Sequence, residues 1–316
     1  MRAHLQIVTV VVAMIACHST PQTDTQTDTG TQTDTGTQTQ DAFHNRIFVA
    51  TSYATSPFPV FEVTSGTATQ FATVAAGDWL GPLVITETGR FLAITNAQAG
   101  SVFDITDGGD LTTATPVVSG LFTDNIGYIE GAALDAGGNL YVSNSENGIQ
   151  AMAKVDLTTK QVTTFGSYEN PVGLLVDGNT LYIAEGGTGR VLAHDLDSGT
   201  ESTFASGFVT GEGYISGQLA RDPAGHIWVN WRGVNVSAPG LYDISAGGDF
   251  SSTEPQVGQD FHVDVNEIAF TSAGDAYVSG ANTGNCYVAT LTDGVLQPLQ
   301  VFASGLGDTE SIVVGP

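Results

Sequence analysis

One unit recurs six times between residues 45 and 316, and its last copy is divided between the two ends of that stretch. The second strand of each unit is legible as Ile47-Phe48-Val49-Ala50, Phe91-Leu92-Ala93-Ile94, Leu140-Tyr141-Val142-Ser143, Leu181-Tyr182-Ile183-Ala184, Ile227-Trp228-Val229-Asn230 and Ala276-Tyr277-Val278-Ser279. Val49, Ala93, Val142, Ile183, Val229 and Val278 mark equivalent positions, spaced 44, 49, 41, 46 and 49 residues apart. That period is the length of a four-stranded sheet with its turns, repeated around an axis. A β-sandwich has similar strand content but no repeat of this length.

Each marker is preceded by an apolar run, such as Ala132-Ala133-Leu134, Leu174-Leu175-Val176 or Ile268-Ala269-Phe270, and then by a turn containing Asp and Gly. Unbroken apolar runs suit strands covered on both faces. After the marker come a third strand ending near Asp (Val102-Phe103-Asp104, Lys154-Val155-Asp156, Ala193-His194-Asp195, Leu241-Tyr242-Asp243) and a Thr-rich fourth. The first unit starts at Asn45 with its second strand, whereas the chain finishes on Glu310-Ser311-Ile312-Val313-Val314, an inner strand with nothing after it. Pairing the C-terminal strand with the N-terminal blade closes the ring and hides two sheet edges. The expected fold is all-β, a six-bladed β-propeller over residues 45–316.

Helix signals are nearly absent, and 39 glycines in 316 residues suit a chain of many strands and tight turns. Residues 1–16 read as a signal peptide: Arg2, then an apolar stretch from Leu5 to Ala16, too short to span a bilayer core of ~30 Å. Met14-Ile15-Ala16-Cys17 resembles a bacterial lipobox, which implies cleavage before Cys17 and lipidation of its thiol; an ordinary secretory signal is the alternative. Residues 17–44 then form a tether whose Thr/Gln/Asp/Gly tract has nothing to bury. On random-coil scaling its flexible part holds the domain roughly 25–30 Å from an anchor. The tract resembles the spacers of surface lipoproteins, and His18 after Cys17 implies an outer-membrane or cell-surface location.

Lipidation of Cys17 leaves Cys286 without a disulfide partner, as a small hydrophobe in a third strand. The formal net charge of −25 excludes nucleic acid and anionic lipid as partners. It fits solubility or attraction of cationic ligands, and a monomer is expected.

In a propeller, the starts of the inner strands converge on one rim of the central channel. Those places hold Gly81, Glu130, Asn170, Gly217, Asn266 with Glu267, and Glu310, an oxygen-rich ring. Such a set suits a hard cation, Ca²⁺ or Mg²⁺, although the same groups could line a hydrated pore. Paired Cys or His spacing for zinc is lacking. His262 and Asp264 lead into an inner strand and could face the channel mouth as an acid/base pair, or merely alternate along it. No Gly-x-Ser-x-Gly elbow supports a serine hydrolase. Asp104-Ile105-Thr106-Asp107-Gly108-Gly109-Asp110 has calcium-loop colouring, but Asp243-Ile244-Ser245-Ala246-Gly247-Gly248-Asp249 repeats it without the middle Asp, so both read as hairpin turns. Trp79, Tyr128, Tyr214, Trp228 and Trp231 pack between blades or, for Tyr128 and Tyr214, line a pocket.

The phrases Gly131 to Tyr141 and Val172 to Tyr182 resemble the six-bladed superfamily of NHL-repeat proteins, virginiamycin B lyase and the regucalcin/gluconolactonase family. The gluconolactonase resemblance rests on Glu130-Gly131, Asp135 and Leu140-Tyr141, and on Asn170 seven residues before Asp177. It implies Glu130, Asn170 and Asn266 as metal ligands, with Asn266 where the family has its basic Asp and Gly217 where it has an Asn. An amide cannot act as general base, so catalysis would fall to Glu267, Glu310 or, as in the lyases, His262. Two classes follow: a lipid-anchored module binding a small molecule or surface protein, or a metal-dependent lactonase, hydrolase or lyase.

Overall fold

The computed structural model describes residues 42–51, 56–75, 77, 79–123, 127–145, 151–210, 215–233, 239–256, 265–280 and 283–316, with only the backbone described at 215, 216 and 265. The chain divides into Met1–Thr37 and Gln38–Pro316, and all described residues belong to the second unit. The signal segment, Cys17, most of the tether, Tyr214, His262 and Asp264 lie outside the described residues.

Six antiparallel sheets form the six blades of a β-propeller. From the axis outward, blade 1 is Thr309–Val314, Ile47–Thr51, Phe58–Thr64 and Thr67–Val74. Blade 2 is Leu80–Ile85, Phe91–Thr95, Ser101–Asp104 and Val118–Ser119. Blade 3 is Ala132–Leu134, Asn139–Ser143, Met152–Asp156 and Val162–Phe165. Blade 4 is Pro171–Asp177, Thr180–Glu185, Arg190–Asp195 and Glu201–Ser206. Blade 5 is Ile215–Arg221, Ile227–Gly233 and Gly240–Asp243. Blade 6 is Val265–Phe270, Asp275–Gly280, Asn285–Thr292 and Gln300–Ser304. Each inner strand touches that of the next blade, and that of blade 6 touches that of blade 1.

The ring closes as the sequence predicts: the C-terminal strand pairs antiparallel with the first ordered one, Phe48 opposite Val313 and Val49 opposite Ile312. All six marker residues are fully buried. They stand opposite Leu83, Ala132, Leu174, Leu219, Ile268 and Ile312 of the inner strands, which defines equivalent positions around the ring.

The core consists of six hydrophobic clusters, one at each seam between blades. Alternation along a strand feeds two seams at once: Phe48 and Ala50 face blade 2, while Ile47 and Val49 face blade 6. Phe43 is buried against Phe48 and Phe91, with ring centroids 5.7 and 5.5 Å away. The packed body therefore begins before residue 45, because the seam between blades 1 and 2 needs that ring.

One turn recurs after the inner strands. Thr86, Asp135, Asp222 and Thr271 each accept, on a side-chain oxygen, the N–H four residues on, that of Arg90, Asn139, His226 and Asp275. The third residue after each is a glycine at positive φ, between 77° and 94°.

The two Gly-Gly-Asp phrases do more than the hairpin turns their sequences suggest. Gly109–Leu111 adds to the outer edge of blade 1 as a parallel strand, and Gly248–Asp249 does the same on blade 4. A Cβ on Gly108 or Gly247 would lie 2.7 Å from the carbonyl oxygen of Phe71 or Phe204, so only glycine permits this approach. Both additions cover exposed strand edges.

Candidate functional site

Inner strands carry one extra residue opposite their neighbours in blades 1, 2, 4 and 6. In blade 6, for example, Val265 pairs with Gly280 but Ile268 pairs with Val278. Such a bulge re-aims consecutive side chains, here at Glu310-Ser311, Gly81-Pro82, Val172-Gly173 and Asn266-Glu267. In blade 5 the pairing runs through Gly217 and Gln218 without a shift. Gly81, Pro82, Gln218, Asn266, Glu267, Glu310 and Ser311 of these positions line a central cavity of about 20 Å³, enough for one water-sized occupant.

Glu130, Asn266, Glu267 and Glu310 meet at this cavity, joined by Gln218 and Ser311. Asn266 Nδ2 donates to Thr309 O at 3.0 Å and to Glu310 Oε2 at 2.9 Å. This pins the amide, and its buried Oδ1 has no hydrogen-bond partner among the described residues. Glu267 Oε2 accepts the Ile312 N–H at 2.8 Å. Gln218 Nε2 donates to Glu130 O at 3.1 Å, linking blades 5 and 3 past Gly173. A Cβ at Gly173 would lie 2.1 Å from Gly217 O and 2.8 Å from Gln218 Cα.

Three second-strand residues staple adjacent inner strands. Ser143 Oγ accepts Gly131 N–H at 2.9 Å and donates to Val172 O at 3.3 Å; Ser279 Oγ accepts Glu267 N–H at 2.9 Å and donates to Glu310 O at 3.4 Å. Asn230 Nδ2 donates to Asn266 O at 3.4 Å. Each reaches the same carbonyl position of the following blade.

Among the described residues no Lys, Arg or His lines the cavity. Burial pushes the Glu267 carboxyl up to about 7, against the opposing hydrogen bonds from Ser311 and Ile312. A carboxyl titrating there can take up and release a proton at neutral pH. Among the described residues no three His, Cys, Asp or Glu side chains are grouped so as to hold a metal ion. Cys286 is buried, and burial raises its thiol to about 12, which leaves it inert.

Asn170 does not line this cavity. It sits at φ 59° with its carbonyl accepting the Gly186 N–H, before the inner strand begins to face the axis. Gly81, Glu130, Gly217 and Asn266 all stand five residues before their turn residues Thr86, Asp135, Asp222 and Thr271, and in blade 4 that count reaches Val172 before Asp177. The seven-residue spacing of Asn170 therefore overshoots. Sequence reasoning also missed Gln218, Ser311 and the staples; the signal was a polar residue closing an apolar second strand, in Tyr-Val-Ser and Trp-Val-Asn.

A much larger cleft, about 540 Å³, opens where the inner strands of blades 2 to 5 end. Ile85, Leu134 and Val176 line it, together with Arg90, Arg221 and Glu87. This volume falls in the range of small-molecule sites, roughly 300–1,000 Å³.

No protein-family model matches the chain, and no curated protein matches it. Solved structures do. A chain of a nidogen/laminin complex is 12% identical over 86% of this chain and 98% of its own, with a TM-score of 0.58. TolB from Acinetobacter baumannii is 14% identical over 87% of this chain and 67% of its own, with a TM-score of 0.59. The PQQ-bound aldose sugar dehydrogenase of Streptomyces coelicolor is 14% identical over 83% and 91%, with a TM-score of 0.59. At these identities the likeness is one of fold, and it is the six-bladed propeller that the chain shares with them.

Proposed function

We propose that this chain is a binding propeller of the cell envelope, held at the outer membrane or cell surface by a lipidated Cys17, that captures a small ligand at the cleft on the inner-strand ends. The observation that carries this reading is the difference in room: about 540 Å³ at the cleft against about 20 Å³ at the acidic cavity. A small molecule fits the first and only a water or an ion fits the second. The resemblance to NHL-repeat propellers agrees with a binding role. The test is a thermal-shift screen of the full chain with and without Val176→Trp, which fills the cleft. Ligands that raise the melting temperature of the wild type and fail to do so with the filled-cleft variant support the reading; hits indifferent to that substitution defeat it.

A second reading, an acid/base enzyme of the gluconolactonase or virginiamycin-lyase type, draws on Glu267, whose carboxyl is raised to about 7 beside the amide oxygen of Asn266. It requires turnover lost in Glu267→Gln. A lactone and ester screen supplemented with Ca²⁺ or Mg²⁺ distinguishes the two, and metal-dependent turnover would replace the binding reading.

A further inference from the structure

The residue two positions beyond the marker partner in each inner strand occupies an equivalent place in the ring, opposite the start of the second strand. These six residues are Ile85, Leu134, Val176, Arg221, Phe270 and Val314. Five are apolar and one is a guanidinium. In a chain with 8 basic residues against 33 acidic ones, a cation in that register is the least expected substitution.

Within the protein its one ion pair among the described residues is a half-exposed contact with Asp177, which is worth little. Arg221 lies 49% exposed with Nη1 3.3 Å from Asp177 Oδ1, and it makes no hydrogen bond among the described residues. Arg46 shows what a committed arginine looks like here, since its Nε and Nη2 both donate to Glu62 at 2.8 Å. Arg90, on the same cleft, gives only Nε to Asp104 Oδ2 at 2.9 Å, leaving both terminal nitrogens available among the described residues. Two forked donors thus border a cleft whose floor is Ile85, Leu134 and Val176.

Resting on the cleft reading above, we propose that the site takes a singly charged organic carboxylate with an apolar body, its carboxylate held by Arg221 and its body on the aliphatic floor. A guanidinium fork matches a carboxylate in plane and spacing. The acids on the cleft set the charge limit. Asp135 is already saturated by Asn139 and the Tyr141 hydroxyl, and Asp177 faces Arg221, but together with Glu87 they bring three negative charges against two positive. Every added charge on an anion works against this net negative lining, so a monocarboxylate, which also gains apolar contacts on the floor, is disfavoured less than a doubly charged phosphate. Among the described residues the cleft offers no aromatic ring on which a sugar could stack.

Isothermal titration of the full chain with hexanoate and 4-phenylbutyrate, against hexanamide, hexylamine and inorganic phosphate, tests this. Saturable binding of the two carboxylates only is expected, weakened about tenfold or more by Arg221→Gln. Because Arg221 is exposed and held, among the described residues, only by a half-exposed ion pair with Asp177, that variant keeps a melting temperature close to that of the wild type. Arg221→Leu, which completes the apolar ring, shifts preference to hexanamide. Equal binding of hexanamide and hexanoate by the wild type, or carboxylate binding indifferent to Arg221→Gln, overturns the proposal. Should a neutral or cationic compound bind instead and be lost with Val176→Trp, the carboxylate assignment falls while the cleft reading stands. If no compound binds in a manner sensitive to Val176→Trp, both fall.

Discussion

Replacing Glu267 by Gln should stabilise the protein above neutral pH and leave it almost unchanged in acid. The carboxyl is displaced upward from 4.5 to about 7 by burial at the central cavity. For an acid raised in the folded state, folding favours the protonated form. Its contribution is complete below pH 4.5, where folded and unfolded chains are both protonated, and is lost as pH rises through 7, where the native state must ionise a buried group. The displacement corresponds to about 3 kcal/mol at full effect. Glu267 is only half-buried, and water in the cavity would screen it, so about 2 kcal/mol is the expected size. The glutamine side chain keeps an oxygen for the Ile312 N–H and has nothing to titrate. The assay is denaturant unfolding of wild type and variant at pH 4.5, 6, 7 and 8.5. Other carboxylates cancel in the difference, which should grow from near zero to about 2 kcal/mol in favour of the variant, or roughly 4–8 °C in melting temperature. A difference that stays flat with pH, or a variant less stable at pH 8.5, refutes the reasoning.

Three further outcomes follow from the ring's construction. Gly173→Ala places a Cβ 2.1 Å from Gly217 O and should cost about 3 kcal/mol or more by calorimetry, whereas Gly178→Ala meets no atom and should cost only about 1 kcal/mol for its positive φ. Ser279→Ala removes the acceptor of Glu267 N–H and the donor to Glu310 O, so chemical denaturation should show a loss of about 1–3 kcal/mol. The buried Cys286 thiol, raised to about 12, should resist a thiol reagent at pH 8 in the native protein and react fully once unfolded.

The blades and their closure were legible because both rest on burial: each marker lies between two seams and tolerates only an apolar residue, so the spacing survives unequal turns. The acidic convergence of Glu130, Asn266, Glu267 and Glu310 was legible once the inner strands were placed. Asn170, counted seven residues before Asp177, falls two positions short of the five-residue register shared by Gly81, Glu130, Gly217 and Asn266, and it does not line the cavity. The Gly-Gly-Asp strands were hidden for a different reason. Their hydrogen bonds are made to another blade, and local sequence encodes only the glycine that allows Phe71 O or Phe204 O to come near.

A ring of equivalent positions also tells which departures matter. At the staple position the six residues are Ala50, Ile94, Ser143, Ala184, Asn230 and Ser279, and the three polar ones all reach a neighbouring carbonyl. Those departures are explained inside the fold. Two others are not: the amide oxygen of Asn266, which faces a cavity too small for anything but water or an ion, and the guanidinium of Arg221 at the wide mouth. An unsatisfied buried acceptor and an uncommitted exposed donor differ in what can resolve them. The acceptor is met by a single water at little entropic cost, about 0–2 kcal/mol, and so says little about an external ligand. The guanidinium already has bulk water. Its exposed ion pair with Asp177 gains the fold only about 0–1 kcal/mol, whereas a Leu there would bury more apolar area at about 25 cal/mol per Å². That asymmetry directs the search for a ligand to the mouth of the ring and away from its centre.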